Sequence, residues 1–445
     1  MRCAASIVLL VSLLGACSSA PDASVAPASD APSAEASASP SAAQTAVAFP
    51  TMKPSTTPPP AAAFEWGEPV ALRGVEDWTV DRPKLVFAKG TFVALDQARI
   101  WVSTDATDWD AADSPVDGNE MIEISDVVAG DAGFVAVGTE NIDADDDGSP
   151  EDGNAVVLIS NDGRRWDRID DPRFRHAGMK YVAMSRQGVV VFGYSWGGGA
   201  SIWTSADGRA WLKATNPTGL HVAQGVQFIA ESDGRLTAFV RSGSPTDDLA
   251  GPIEVWQTEG RADWEKVGEL PDPSGALVRH AAYGAGRWFA LGGTTIADGD
   301  FASRVWTSSD GRNWDHAADT TSPDGAIVNA IAGWSGGVIA AGSTGSEPGE
   351  TCGGSEPWVG RTWLSTGAGW QVLPPTKGAA IRAMVIANDR IVGLGLRLGT
   401  DPGDHDVAEP VRWSATLPVS PVQSAPTPSP TPPPTPAPSR DGCGG

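Results

Sequence analysis

A seven-residue phrase recurs through the middle of this 445-residue chain. It reads SNDGRRW, SADGRAW and SSDGRNW in its three best copies, and weaker copies surround them. The copies end at Trp109, Trp166, Trp211, Trp264, Trp314 and Trp370, so the period is roughly 50 residues. A period of this length corresponds to one supersecondary unit. The middle of the chain is therefore one structural unit used repeatedly.

Each repeat contains four short segments with strand-like alternation. The second follows a glycine turn, as in GFVAVG (133–138), and the fourth begins at the tryptophan of the phrase. Gly and Asp-Gly between segments indicate antiparallel hairpins. First segments begin near Arg82, Ile124, Lys180, Gln224, Arg279, Asn329 and Ile381. We therefore predict an all-β fold, a seven-bladed β-propeller of four-stranded antiparallel blades over 64–418.

The seventh repeat lacks a fourth strand. Its third strand, PVRWSATLP (410–418), runs directly into a proline-rich tail. The segment FEWGEPVAL (64–72) precedes the first repeat and has the pattern of a fourth strand. We predict that this N-terminal strand completes the last blade and removes an open sheet edge. We also predict that the tryptophans of the third and fourth strands face each other across each hairpin.

The ends of the chain have a different composition. Residues 1–16 contain Arg2 and an apolar run, which indicates an export signal peptide. Residues 17–63 are rich in Ala, Ser, Pro and Thr, and 419–445 are rich in Pro, so we expect a disordered tether and an extended tail.

The residues 14–17 (LGAC) resemble the lipobox of bacterial lipoproteins. The resemblance implies that Cys17 is lipidated and that the protein is anchored to the membrane on the extracytoplasmic side of the cell envelope. The alternative is an ordinary cleaved signal peptide. Because Cys3 would leave with the signal, Cys352 and Cys443 remain to form a disulfide, or stay as free thiols.

The formal net charge of the chain is −24. Nucleic acid is an unexpected partner for such an acidic protein, because its phosphates would be repelled. We expect a monomer whose partner is an extracytoplasmic protein or a glycan.

The phrase SSDGRNW resembles the Asp-box, or BNR repeat, of sialidase-like β-propellers. Here Gly follows Asp directly, where the usual pattern has one residue between them. The resemblance implies that the Ser, Asp, Gly and Trp of the phrase hold the hairpin between the third and fourth strands together and are not catalytic. These residues are Ser160, Asp162, Gly163, Trp166, Ser205, Asp207, Gly208, Trp211, Ser308, Asp310, Gly311 and Trp314.

The loops between the second and third strands are acidic. Five of them, in blades 2, 4, 5, 6 and 7, hold 18 Asp and Glu and no Lys or Arg. One resembles the start of a calcium loop, with carboxylates at Asp143, Asp145, Asp147, Glu151 and Asp152. Its twelfth position is an asparagine where an EF-hand has glutamate. The loop therefore either binds Ca²⁺ or is only solvated.

Basic residues begin several first strands at the mouth of the predicted channel. They are Arg82, Lys180, Arg279 and Arg382. Such a ring can hold an anionic ligand. The alternative is that these residues pair with nearby carboxylates such as Asp81. Trp196, in a loop of the same face, either stacks on a sugar ring or caps its own blade.

The function expected from these features is a non-catalytic binding module, not an enzyme. The first alternative is a sialidase-like glycoside hydrolase, for which the family resemblance implies an arginine triad from Arg82, Arg279 and Arg382 with Tyr283 as nucleophile. The Arg-Ile-Pro motif of sialidases is absent, and DRPKL (81–85) stands nearest to it. The second alternative is a structural envelope protein without a ligand.

The calcium interpretation can be tested on residues 64–445. If the loop binds Ca²⁺, added Ca²⁺ should raise the melting temperature and EDTA should lower it, because a ligand of the folded state stabilises that state. Melting that is the same in both conditions would exclude the metal site.

Overall fold

A computed structural model describes residues 64–417, except for 76–82, 97–98, 118, 120, 143–151, 197–199, 215–224, 242–250, 262, 272–275, 296–300, 318–322, 324–325, 345–358, 368, 375, 377–378 and 399–407. These residues all lie in the compact unit Pro59–Gly445. Within them, no helix has the length and apolar character needed to span a membrane.

The described strands form seven antiparallel sheets of four strands each. Blade 1 contains β2 (Lys84–Ala88), β3 (Thr91–Asp96), β4 (Arg99–Ser103) and β5 (Asp110–Ala111). Blade 2 contains β6 (Ile122–Gly130), β7 (Gly133–Ile142), β8 (Asp152–Ser160) and β9 (Asp167–Arg168). A short 3₁₀ helix (Pro172–Phe174) leads into blade 3, which contains β10 (Ala177–Ser185), β11 (Gly188–Ser195), β12 (Ala200–Ser205) and β13 (Trp211–Ala214).

The remaining blades follow the same order. Blade 4 contains β14 (Val226–Ser232), β15 (Arg235–Arg241), β16 (Ile253–Thr258) and β17 (Glu265–Glu269). Blade 5 contains β18 (Leu277–Gly284), β19 (Arg287–Thr295), β20 (Phe301–Ser308) and β21 (Asp315–His316). Blade 6 contains β22 (Ile327–Trp334), β23 (Gly337–Thr344), β24 (Val359–Ser365) and β25 (Trp370–Val372). Blade 7 contains β26 (Ala379–Ala387), β27 (Arg390–Leu398), β28 (Ala408–Thr416) and the N-terminal β1 (Val70–Ala71).

The prediction of a seven-bladed propeller closed by the N-terminal strand is confirmed. Val70 of β1 pairs with Arg412 of β28, and Ala71 pairs with Val411. Around the ring, each first strand contacts the first strand of the next blade, and β26 contacts β2. The seven first strands therefore surround a central channel.

Apolar layers fill the spaces between neighbouring blades. The layer between blades 2 and 3, for example, contains Val137, Val157, Val191, Trp203 and Trp211, all buried. Residues of both faces of each sheet are buried in this way, which explains why the inner strands read as nearly continuous apolar runs.

The ring has two different faces. The hairpin face carries the turns between first and second strands and the hairpins between third and fourth strands. The loop face, at the opposite end, carries the loops between second and third strands and the connections to the next blade.

The DG phrase forms the hairpin between third and fourth strands. Ser160 Oγ accepts from Gly163 N at 2.8 Å, and Asp162 Oδ1 accepts from Arg164 N at 2.8 Å. Trp166 Nε1 donates to Gly163 O at 2.8 Å. The backbone N–H groups of Arg164 and Arg165, which both donate to Asp162 Oδ1, hold the pKa of Asp162 below its usual value.

The same bonds recur in the other two good copies. Arg209 N donates to Asp207 Oδ1 and Arg312 N donates to Asp310 Oδ1, both at 2.8 Å. The indole nitrogens of Trp211 and Trp314 donate to the carbonyls of Gly208 and Gly311, at 2.8 and 3.2 Å. Most of the polar atoms in the phrase are thus used within the hairpin itself.

The predicted pairing of tryptophans across each hairpin is wrong. In blade 3, Trp203 pairs with Lys213 and Trp211 pairs with Ser205, so the two tryptophans are offset by two residues. Three fourth-strand tryptophans, Trp264, Trp314 and Trp370, instead meet phenylalanines of the preceding blade edge-on. The ring centroids of Phe192 and Trp264 are 5.3 Å apart, and those of Phe239 and Trp314 are 5.4 Å apart. These aromatic contacts join blades to one another.

Gly133 lies at the first turn of blade 2, next to the hairpin between the third and fourth strands. A substitution at Gly133 therefore measures how closely the turn packs against this hairpin. A Cβ at Gly133 would lie 2.2 Å from Ser160 O, whereas a Cβ at Gly225 would meet nothing within 4 Å. Both glycines have nearly the same φ, +130° and +126°. We expect Gly133→Ala to lower the free energy of unfolding by about 1–3 kcal/mol more than Gly225→Ala, measured by urea denaturation. Equal losses would mean that backbone conformation alone sets the cost.

Candidate functional site

β-Bulges occur at one level of the central channel. Six of the seven first strands, those of blades 2 to 7, shift register near their loop-face ends. A bulge leaves one residue without a ladder partner and redirects its side chain. The residues at the bulges are all polar: Ser125, Lys180, Gln227, Arg279, Asn329 and Arg382.

Glycines in the second strands accompany these bulges. A Cβ on Gly138 would lie 2.0 Å from Glu123 O of the first strand, and one on Gly342 would lie 1.8 Å from Ile327 O. The same close approach occurs at Gly193, Gly292 and Gly395. In blade 4 the equivalent residue of the second strand is Val240, which pairs with Val226. The glycine at this position of the other five second strands was the sequence signal for the bulge.

Three of the four predicted basic residues lie at these bulges. Lys180 and Arg279 are exposed and Arg382 is half-buried, and all three belong to first strands of the same ring. Arg82 lies outside the described residues. Lys84, two positions further along, contributes a cation of blade 1 to the channel instead.

Asp126, the residue after the blade 2 bulge, links three blades. Its Oδ1 lies 3.5 Å from Lys84 Nζ of blade 1, and its Oδ2 accepts from Val182 N of blade 3 at 3.0 Å. The carboxylate side chain is only 15% exposed. Since removing it would leave a buried backbone N–H without an acceptor, Asp126 has a structural role as well as an electrostatic one.

Tyr181 and His280 occupy the corresponding positions of blades 3 and 5. Burial raises the pKa of Tyr181 to about 12; the negative charge of Asp126 adds to this effect and Arg279 opposes it. Lys180 Nζ lies 5.5 Å from the centroid of the Tyr181 ring. The phenol is therefore a neutral hydrogen-bonding group at physiological pH.

His280 is half-buried by its accessible surface, but protein atoms surround its ring closely. This burial, together with the charges of Lys84 and Arg279, lowers the pKa of His280 to about 3. Its ring packs against Phe228 at 6.1 Å between centroids. The charge of Lys84, in blade 1, thus acts on a histidine of blade 5.

We call one group of side chains of the first strands the channel cluster. Its members are Lys84, Asp126, Lys180, Tyr181, Phe228, Arg279, His280 and Arg382. It combines several cations with one internally bonded carboxylate, two neutral polar groups and an aromatic surface. Such a cluster can hold an anionic group through the cations and hydroxyl groups through the phenol and imidazole. Three of its cations, Lys180, Arg279 and Arg382, were predicted from the sequence, whereas Lys84, Asp126, Tyr181 and His280 were not.

Trp196 is placed between blades 2 and 3. It is half-buried, and its indole nitrogen is buried without a hydrogen-bond acceptor among the described residues. A Cβ on Gly153 would lie 2.7 Å from this nitrogen, and the ring of Tyr194 meets the indole at 5.7 Å between centroids. The indole thus packs between Gly153 of blade 2 and Tyr194 of its own blade, and its stacking on a sugar ring stays a prediction.

The predicted calcium loop falls mostly outside the described residues, as do Asp143, Asp145, Asp147 and Glu151. Asp152 is described: its carboxylate accepts from Gly153 N at 2.7 Å and pairs with His176. Within the described part of the chain, no group of three or more His, Cys, Asp or Glu is placed to hold a metal. Cys17, Cys352 and Cys443 also lie outside it.

Tyr283 is separated from the channel cluster. It lies near the hairpin-face end of β18, four residues after Arg279 of the same strand, which is about 13 Å at the usual rise of a strand. Tyr283 lines a cavity of the hairpin face. The arrangement required by the sialidase-like alternative, with this phenol beside Arg279 and Arg382, is therefore not formed.

Solved structures of similar fold span most of the chain, whereas no family model and no curated protein matches it. An α-L-arabinanase of Penicillium chrysogenum complexed with arabinobiose is 12% identical, with 79% of this chain and 98% of that chain covered and a TM-score of 0.42. A PL25 ulvan lyase is 10% identical, with coverages of 79% and 94% and a TM-score of 0.44. A chain of a mitotic checkpoint complex is 12% identical, with coverages of 84% and 99% and a TM-score of 0.46. These similarities concern the fold alone.

One expectation is corrected by this comparison. It is the expectation that the protein is not an enzyme, since two of these solved structures, the arabinanase and the ulvan lyase, are of enzymes.

Proposed function

We propose that this propeller has a carbohydrate-related role and that the channel cluster holds the acidic group of a saccharide at the loop face. Carbohydrate is also the class of ligand named for the arabinanase of similar fold. The proposal rests on the chain's own residues. Its main support is the grouping of Lys180, Arg279 and Arg382 at equivalent bulges around one channel.

The charges of the cluster favour an anionic group. Asp126 already accepts from Val182 N and lies next to Lys84. Arg279 is exposed, and a guanidinium binds a carboxylate through two parallel hydrogen bonds. Because the whole chain carries a net charge of −24, an anion would be attracted to this local cationic patch and repelled by most of the remaining surface.

The neutral groups of the cluster favour a sugar over an inorganic anion. Tyr181 supplies a phenol that stays protonated, and Phe228 supplies an apolar ring beside His280. A sugar ring presents hydroxyl groups to such donors and acceptors and C–H groups to the aromatic surface. An acidic saccharide therefore matches the cations, the phenol and the aromatic ring together.

Binding of a carboxylate would also change the acid–base properties of the site. A negative charge beside His280 raises the pKa of the imidazole from its value of about 3, toward the range in which histidine accepts protons in catalysis. The binding experiment should therefore also measure turnover of the saccharide.

Removing one cation of the cluster should weaken binding of an acidic sugar selectively. With trigalacturonate as ligand, we expect Arg279→Gln to weaken affinity about tenfold or more, since one charge-assisted contact contributes about 1.5–3 kcal/mol. The control is Arg312→Gln, the same substitution at an arginine of the hairpin face 3.8 Å from Glu265, which should have no effect.

Titration calorimetry measures the affinity, and release of reducing ends in the same samples measures turnover. A neutral trisaccharide of equal length serves as the reference ligand. The proposal fails if the wild type does not bind trigalacturonate, or if both arginine variants weaken binding equally.

We also propose that Cys17 is lipidated and anchors the propeller to the membrane on its extracytoplasmic side. The support is the LGAC sequence at 14–17, followed by the Ala-, Ser- and Pro-rich stretch before residue 64. Cys17→Ser should move the protein from the detergent phase to the aqueous phase in a detergent phase partition. Wild-type protein in the aqueous phase would refute the anchor.

A further inference from the structure

A cavity of about 420 Å³ opens on the hairpin face, at the end of the ring opposite the channel cluster. Arg186 enters it from the first turn of blade 3, and Arg235 enters from the start of β15 in blade 4. Glu259 follows β16, and Tyr283 and Trp288 flank the first turn of blade 5. Three consecutive blades thus contribute to one cavity, whose volume lies within the usual range of small-molecule sites, about 300–1,000 Å³.

The polar wall of the cavity is held in place by the protein. Arg235 donates to the carboxylate of Glu259, and this bond, with the added charge of Arg186, keeps the pKa of Glu259 below its usual value. Asp310 accepts from the backbone N–H groups of Arg312 and Asn313 at 2.8 Å. The hydrogen-bonding groups are therefore oriented before any ligand arrives, which reduces the entropy lost on binding.

Arg186 connects two blades at the edge of this cavity. Its backbone N–H donates to Gly234 O of blade 4 at 3.3 Å. Its side chain lies against Gly234, where a Cβ would come within 2.0 Å of Arg186 Cγ. The close approach fixes the base of the Arg186 side chain, while the residue as a whole remains exposed.

The other wall is aromatic. The rings of Tyr283 and Trp288 meet edge-on, with centroids 5.3 Å apart and planes at 62°. Trp288 is buried and Tyr283 is half-buried, so the tyrosine presents the accessible ring. Tyr283 also brings a phenol O–H, which both donates and accepts.

We propose that this cavity is a second ligand site and that it takes a neutral saccharide unit. Its charged lining consists of two arginines, Arg186 and Arg235, and three acidic residues, Asp233, Glu259 and Asp310. Such a nearly balanced set does not select a strongly charged ligand. It offers donors and acceptors side by side, which suits hydroxyl groups, and the aromatic wall suits the C–H face of a sugar ring.

This proposal does not depend on the acidic-saccharide proposal, because the two sites share no residue and lie on opposite faces. Cellobiose, maltose and lactose serve as neutral probes, and glucuronate and spermidine serve as anionic and cationic probes. Binding to the full chain is followed by two-dimensional NMR and titration calorimetry.

We expect at least one neutral disaccharide to bind and to shift signals of the hairpin face. Arg235→Gln should weaken that affinity about tenfold, because a charge-assisted hydrogen bond is lost. Tyr283→Ala should weaken it about fivefold or more through loss of the aromatic wall. Arg164→Gln, at an exposed arginine of the hairpin face in blade 2 that lies 3.8 Å from Asp110, is the matched control and should leave it unchanged.

Arg235 and Glu259 form an exposed ion pair, which contributes little to stability, so we expect the Arg235→Gln variant to fold. This variant therefore tests the proposal even if Tyr283→Ala does not fold. The proposal is overturned if none of the three disaccharides binds, or if Arg235→Gln leaves their affinity unchanged. It is also overturned if only glucuronate or only spermidine binds at this cavity.

Discussion

The pairing of β1 with β28 is the contact on which the ring depends. Without it, the last blade would end in an open strand edge, and blade 7 would have no outer strand. The paired strand is only two residues long, but bonds on both sides extend it: Gly67 N donates to Ser414 O and Leu72 N donates to Pro410 O, each at 2.9 Å. Phe64 is buried in the layer between blades 6 and 7. The residues before the first repeat are therefore as much a part of the last blade as its own strands.

The architecture was predictable because its signals are local and repeated. The DG phrase fixes the hairpin between third and fourth strands, and seven first segments fix the number of blades. Position within the channel is not local. Lys84, Asp126, Tyr181 and His280 come from four blades, and only closure of the ring brings them together. Tyr283 shows the same limit, because belonging to a first strand did not reveal at which end of the strand it lies.

Errors about single side chains have similar physical causes. The two tryptophans of a hairpin were expected to face each other because they are eight residues apart, but the pairing register places Ser205 opposite Trp211. The partner that the indole of Trp264 finds is Phe192, in the neighbouring blade. Spacing along one hairpin cannot reveal contacts between blades, since these depend on how adjacent sheets stack.

The bulges of the first strands have one further consequence. Their geometry is set by backbone atoms and by the missing side chains of glycines such as Gly138 and Gly342, not by the residue that each bulge displays. The displayed residues differ from blade to blade, from Ser125 to Lys180 to Asn329. The backbone of the propeller is thus independent of the side chains that the bulges display. Each of the six bulge positions can be substituted without changing the others, so the number of possible channel linings multiplies with every blade.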